Sequence, residues 1–148
     1  MRAVIQRVTR ASLAIGGVEH ARIGPGVLVL LGVAPGDTAA VAEQLAAKIV
    51  QQRIHADADG KMNLALGDLD REMLIVSQFT LFADTRKGHR PGFAGAAPPA
   101  LAIPLYETFV AHCERLLPGR IKTGVFAADM QVELVNDGPV TILMDTQE

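Results

Sequence analysis

Apolar and polar positions along this chain change period from block to block, and each period predicts an element. Residues 2–8, RAVIQRV, alternate loosely and are β-branched, as a first strand should be. Residues 12–15 and 21–23 flank Gly16-Gly17, a short hairpin signal. VLVLLGV at 27–33 is an unbroken apolar run of strand length, which predicts a strand buried on both faces. Pro35-Gly36-Asp37 makes a turn, after which Asp37 or Thr38 caps a helix running to about Val50. Val41, Leu45 and Ile49 are its apolar positions at i, i+4 and i+8, with Lys48 on a charged flank. HADADGKMN, 55–63, is a polar loop, and MLIVSQFTL at 73–81 a second dense strand. The loop ADTRKGHRPGFAGAAPP follows at 83–99, then a helix from about Leu101 to Leu117 that stops before Pro118-Gly119. Val125, Phe126 and a strand at 129–135 lead to a turn at 136–139 and a last strand at 140–144, read together as a hairpin. Strands, helix, strands, helix, strands predicts a mixed α/β single domain over residues 1–148, with no linker or internal repeat.

Composition narrows the function classes. With 49% hydrophobic and 20% charged residues the chain is globular rather than disordered. One Tyr, five Phe and no Trp argue against stacking platforms for single-stranded nucleic acid. A net charge of −2 argues against binding long nucleic acid, DNA included, mainly through phosphates, though not against contact with one end of an RNA. Cys113 is the single cysteine, so no internal disulfide forms, which suits a reducing cytoplasm. Four arginine and glutamine residues interrupt the first ten positions, unlike a signal-peptide core, and no apolar run reaches the ~20 residues of a membrane span.

Candidate chemistry is sparse. His55, Asp57 and Asp59 lack the further ligands of a calcium loop. The four histidines and the cysteine share no zinc spacing, so neither metal nor cofactor is expected. Gly24-Pro25-Gly26 lacks the completion of a phosphate loop. Ser77-Gln78-Phe79-Thr80 sets two hydroxyls and an amide where strand alternation favours Val or Ile; such local conflicts mark functional sites, although hydroxyls bonded to strand backbone explain them equally well. A Ser or Thr nucleophile needs a base, and only His89 is near in sequence, among Arg86, Lys87 and Arg90. TRKGHRPG is more simply a basic loop able to meet a phosphate or carboxylate, or a solvated charge run.

MRAVIQRVTRAS at the start, GKMN at 60–63, SQFTLFADTRKGHRP at 77–91 and TGVFAADMQVELVNDGPVT at 123–141 together resemble the D-aminoacyl-tRNA deacylase family, formerly called D-tyrosyl-tRNA deacylases. The likeness covers nearly the whole chain in order, and its signatures SQxTL and NxGPxT are specific in combination. It implies a compact domain on a strongly curved, antiparallel-rich, barrel-like sheet with two main helices. It implies a homodimer with two active sites at the interface, where the ester joining a D-amino acid, or glycine charged in error, to the 3′-terminal adenosine of tRNA is hydrolysed. Gly138-Pro139, held cis, is implied to enter the partner's pocket and exclude L side chains with its carbonyls. Ser77, Gln78, Phe79 and Thr80 are implied to line the pocket, with backbone N–H groups at Phe79 and Thr80 facing a developing oxyanion. Arg7 is implied to hydrogen-bond the Gly-Pro carbonyls, with Asn136 and Thr141 in support. Phe126 and Met130 are placed near the adenine, core packing explaining both about equally well. No residue supplies Thr80 with a base, so attack by water assisted by the substrate's 2′-hydroxyl is the expected route.

The chain departs from the family pattern after Pro91. Ala100 stands where a capping Asp is common, Pro104 falls within the expected first turns and should shift or kink the helix, and Val125 replaces a frequent basic residue. Two other readings remain: an editing deacylase with relaxed chirality, acting for instance on L-alanine carried by the wrong tRNA, and a non-catalytic RNA-binding dimer module.

Overall fold

The computed structural model describes residues 1–147. Its organising element is β1, Arg2–Ile15, whose fourteen residues form one strand rather than two. Along one edge β1 pairs antiparallel with β8, Met130–Asp145, over its whole length. Its other edge is shared: Arg2–Val8 pair with β3, Gly26–Gly32, and Ala11–Ile15 pair with β2, Val18–Ile23. β6, Glu72–Ser77, joins β3 in parallel, and β7, Ile121–Thr123, joins β6 in parallel. The result is a six-stranded mixed sheet, ordered β2-β1-β3-β6-β7 with β8 on β1, wrapped into a nearly closed barrel. β4, His55–Ala56, and β5, Met62–Leu64, form a separate small ribbon.

Both faces of the central strands are buried, which explains the unbroken apolar runs. Val27, Val29 and Leu31 of β3, with Met73 and Ile75 of β6, face a large core shared with the helices. Leu28 of β3 and Leu74 and Val76 of β6 face a second core with Val8, Ala11, Leu13 and Ile23. α1, Ala39–Val50, is capped by Thr38, whose Oγ1 accepts from the Val41 amide at 3.4 Å, and buries Leu45 and Ile49 against the larger core. Asp37 does not cap this helix. Its carboxylate accepts instead from the Ala34 amide at 2.7 Å and from the Met1 amino group at 2.6 Å. α2, Pro99–Leu116, begins with Pro99 as its first residue and buries Tyr106, Phe109 and Cys113. It runs through Pro104, so that residue neither delays the start nor ends the helix; Ala100 lies inside the first turn rather than at a cap. A proline there removes the N–H that would bond the Ala100 carbonyl.

Two sequence expectations are corrected. The second dense strand ends at Ser77, not at 81: Phe79–Phe82 turn into a 3₁₀ helix after Gln78. The final hairpin does not exist. Residues 130–135 and 141–145 are one strand, and both halves pair with β1 rather than with each other. The turn chemistry of NDGP serves a bulge instead.

Candidate functional site

The bulge can be read from the register. Gln6 of β1 faces Thr141 and Val8 faces Asn136, so one residue on β1 stands opposite four on β8, 137–140. Asn136 closes this excursion with its side chain, as a strand partner would: its amide nitrogen donates to the Val140 carbonyl at 3.1 Å, and its amide oxygen accepts from the Val140 N–H at 2.7 Å. Asn136 Nδ2 also reaches the Thr141 hydroxyl at 3.3 Å, and Gln6 Nε2 reaches the same hydroxyl at 3.4 Å. Asp137, Gly138 and Pro139 are left exposed as a backbone knuckle, while Val140 is buried beneath it. The Gly138–Pro139 peptide bond is cis.

Arg7 braces the knuckle from below. Its Nε donates to the Asp137 carbonyl at 2.9 Å, another guanidinium nitrogen donates to the Ile54 carbonyl at 2.6 Å, and the Asp137 carboxylate lies 3.4 Å away. The carbonyl that Arg7 holds is therefore that of Asp137, one residue before the expected Gly-Pro pair. His55 is 5% exposed, and its Nε2 is buried with no hydrogen-bond partner among the described residues. Burial, with the positive charges of Arg71 and Arg7, pushes the imidazole pKa below its ordinary 6.5, against an opposing pull from Asp137.

The SQF segment lies elsewhere. A cavity of about 690 Å³ opens where the C-terminal ends of β3 and β6 meet the start of α2 and the turn before β8. Ser77, Gln78, Phe79, Phe126 and Met130 line it, whereas Thr80, Arg7, Asn136, Gly138, Pro139 and Thr141 do not. Thr80 stands just outside, its hydroxyl bound to Gln78 Nε2 at 2.5 Å. Phe93 and Tyr106 complete two aromatic pairs in the walls. Phe79 and Phe93 meet edge to face at 5.2 Å, 55% and 40% exposed, and Tyr106 meets Phe126 at 6.2 Å. Three of the five phenylalanines thus line one cavity, a convergence that scattered positions in an aromatic-poor sequence do not announce. The Gly/Ala-rich stretch around Phe93 and the turn at Phe126 are the local signals for it.

The cavity offers few acid–base groups. Asp129 and Tyr106 are its titratable residues, and neither histidine nor lysine lines it. The Tyr106 hydroxyl donates to the Ile75 carbonyl at 3.0 Å, and burial raises its pKa above the ordinary phenol value. Cys113 is buried nearby in α2, its thiol pushed up to about 12 by desolvation, so it is inert as a nucleophile. Ala127 holds φ +64° in the wall, a left-handed backbone seldom adopted by residues with a side chain. No group of three or more His, Cys, Asp or Glu suited to a metal occurs among the described residues. In HADADG the Asp57 carboxylate accepts from the amides of Asp59 and Lys61 and so closes a turn.

The profile of the D-Tyr-tRNA(Tyr) deacylase family matches residues 4–145. The chain belongs to this family. A D-aminoacyl-tRNA deacylase of Cytophaga hutchinsonii is 57% identical over 147 residues, covering 99% of this chain and 98% of its own. One from Akkermansia muciniphila is 53% identical over 148 residues, covering 100% and 99%. Among solved structures, a c-Myc DNA unwinding element binding protein superposes with a TM-score of 0.93 at 42% identity, covering 99% of both chains. A probable eukaryotic D-amino acid tRNA deacylase superposes at 0.83 over 97% of both chains; at 17% identity it attests the fold. The mixed α/β fold with two helices and a curved sheet is thus the family's.

Proposed function

We propose that this chain hydrolyses the ester between a D-amino acid, or glycine, and the 3′-terminal adenosine of tRNA, and that it does so as a cytoplasmic homodimer. Each site would combine the cavity of one copy with the Gly138-Pro139 knuckle of the other. One observation carries the reading: the two motifs lie apart in a single chain. Met130 lines the cavity, whereas Gly138, eight residues further along the same strand, does not. The cavity has an exposed aromatic rim, and the knuckle is exposed to solvent. A two-fold pairing gives each what the other lacks.

In this arrangement the knuckle reads chirality with backbone atoms. An L side chain on the substrate would collide with the carbonyls of Gly138 and Pro139, and a D side chain would point away. Rejection by a fixed wall does not depend on side-chain size, whereas a side-chain pocket separates small groups only modestly. The cavity supplies position. Water attacks the ester carbon, the carbonyl oxygen takes negative charge, and collapse breaks the bond to the ribose 3′-oxygen, which takes up a proton as the amino acid leaves. The amides of Phe79 and Thr80 open the 3₁₀ helix, where the first N–H groups have no acceptor within the helix, and suit the developing oxyanion. Thr80 has only the Gln78 amide at its hydroxyl, and neither Tyr106 nor Cys113 can serve as a base at neutral pH. Asp129 is the cavity's one carboxylate, and the 2′-hydroxyl, which the substrate itself holds beside the ester, is the group we assign to assist.

The DNA-binding name of the structural relative does not favour a DNA reading here, because the chain carries a net charge of −2. The deciding experiment is hydrolysis of matched D- and L-tyrosyl-tRNA with glycyl-tRNA alongside. Cleavage of the D and glycyl esters alone is expected. Cleavage of L-alanyl or other small L esters as well would favour the relaxed editing enzyme, and binding without cleavage the non-catalytic module. Replacing the terminal 2′-hydroxyl by hydrogen should slow cleavage by orders of magnitude, while Thr80→Ala should retain substantial activity.

A further inference from the structure

The segment between the 3₁₀ helix and Phe93 sets three cationic side chains within five positions, 86–90, and the chemistry of the cavity does not use them. Residues 84–92 carry Arg86, Lys87 and Arg90 against Asp84, a net of +2 on a chain whose total is −2. All are exposed. The stretch is a closed arm: the amides and carbonyls of Asp84 and Gly92 bond reciprocally at 2.7 and 2.9 Å, and Gly88 turns the tip at φ +68°. Its two roots lead into the cavity rim, through Phe82 and Phe79 on one side and through Phe93, packed on Phe79, on the other. Asp84 takes both oxygens to the Arg86 guanidinium, at 2.9 and 2.8 Å, and also accepts from its amide; this holds the carboxyl far below its ordinary range. That pair is internal and stiffens the arm. Lys87 and Arg90 have no anionic partner among the described residues.

From this geometry we infer that the 84–92 arm grips backbone phosphates next to the terminal adenosine, with Lys87 and Arg90 as its contacts and the Asp84–Arg86 pair as its brace. The inference rests on the tRNA reading above and adds the contact that would tell a polynucleotide ester from a small one. Two unpaired cations beside a cavity with one carboxylate place attraction for a phosphodiester chain next to the site, while the net charge of −2 keeps general affinity for nucleic acid low. The arm does not touch the reacting atoms.

The test compares wild type with Lys87→Gln/Arg90→Gln on two substrates: D-tyrosyl-tRNA, and D-tyrosyl-adenosine, which has no phosphate. On the tRNA ester the variant should show about a tenfold higher KM, unchanged kcat, and a log KM against log salt slope reduced by about one to two. On the adenosine ester both constants should equal those of wild type. Titration of uncharged tRNA, with no chemistry involved, should show the same weakening and the same loss of salt dependence. An unchanged KM and slope for tRNA would overturn the arm's role, as would equal losses on both substrates, since the damage would then lie in the cavity. Competition by polyglutamate as strong as by tRNA of equal charge would also overturn it, because the arm would then be a generic polyanion patch. If no ester is cleaved even by wild type, the function proposed above fails while the tRNA titration still decides the arm.

Discussion

Gly138→Ala perturbs the knuckle at its least tolerant point. The residue holds φ +146°, where a side chain costs about 1–3 kcal/mol. A methyl there would stand 2.8 Å from Val140 Cγ2, 2.9 Å from the Val140 nitrogen and 3.2 Å from a guanidinium nitrogen of Arg7. None of these neighbours yields readily. Val140 is buried and its N–H is bound to Asn136, while Arg7 is fixed between the carbonyls of Ile54 and Asp137. Relief must come from moving residues 137–139 outward, which loses the charged hydrogen bond from Arg7, a further ~1.5–3 kcal/mol. The native knuckle is thus disfavoured by about 2.5–6 kcal/mol and its population falls by a factor on the order of 70 or more. Because the segment is exposed, the fold escapes most of this: the melting temperature should drop by only about 3–8 °C, at ~2–4 °C per kcal/mol for a chain of this size.

The assay is the ratio of kcat/KM for D- and L-tyrosyl-tRNA, with thermal unfolding measured on the same sample. The ratio should narrow at least tenfold while the protein stays folded. A folded variant whose ratio stays within about twofold of wild type would refute the backbone filter, since its knuckle would have moved without consequence for selection. Mixing adds a sharper test of the shared site. Gly138→Ala and Phe79→Ala homodimers, allowed to exchange subunits, form hybrids with one doubly damaged and one intact site. Random exchange should leave about a quarter of all sites intact and halve the number of Gly138→Ala sites with a sound cavity, so hydrolysis of the L ester should fall by about half while hydrolysis of the D ester is kept. No change on exchange would mean that each chain carries a self-sufficient site.

Two further variants probe the support beneath the knuckle and the wall of the cavity. His55→Gln tests the buried imidazole: a folded-state pKa below the ordinary 6.5 means that stability is full above that pH and falls as the unfolded state binds protons first, so wild type should weaken as the pH drops below about 6.5. The variant's denaturation midpoint should change less with pH just below that value, where Asp57 and Asp84, held low, do not titrate; parallel curves would exclude His55 as the cause. Ala127→Gly should raise stability by about 0.5–1 kcal/mol in urea unfolding, because glycine adopts φ +64° without the side-chain penalty; a loss would mean that the methyl's packing in the wall outweighs the backbone cost.

What the sequence discloses and what it conceals follow from the range of the forces involved. The dense runs at 27–33 and 73–77 are legible because burial on both faces leaves no polar position in a strand, and α1 because cap and apolar stripe are local. The SQF wall is legible as a conflict with strand alternation, and the conflict is real: the strand stops at Ser77 so that Gln78 and Phe79 can turn into the cavity rim. The 3₁₀ helix that follows has no separate signal, since FTLF is as apolar as the strand before it.

The end of the chain misleads for a physical reason. VNDGPVT has every local mark of a hairpin, and its flanks have the composition of two paired strands. Whether they pair with each other depends on a third strand more than a hundred residues away, β1, long enough to take both as one partner. With that partner in place, the residues that would have turned the chain back are free for another use. Asn136 bonds across the excursion, Val140 anchors its base, Arg7 braces Asp137 from the opposite strand, and Gly138 and Pro139 are held out toward solvent. A hairpin turn would fray at its tip. A bulge stapled at both ends into a fully paired strand is stiff, and stiffness is what a backbone filter requires, because a wall that yields by an ångström admits the wrong hand.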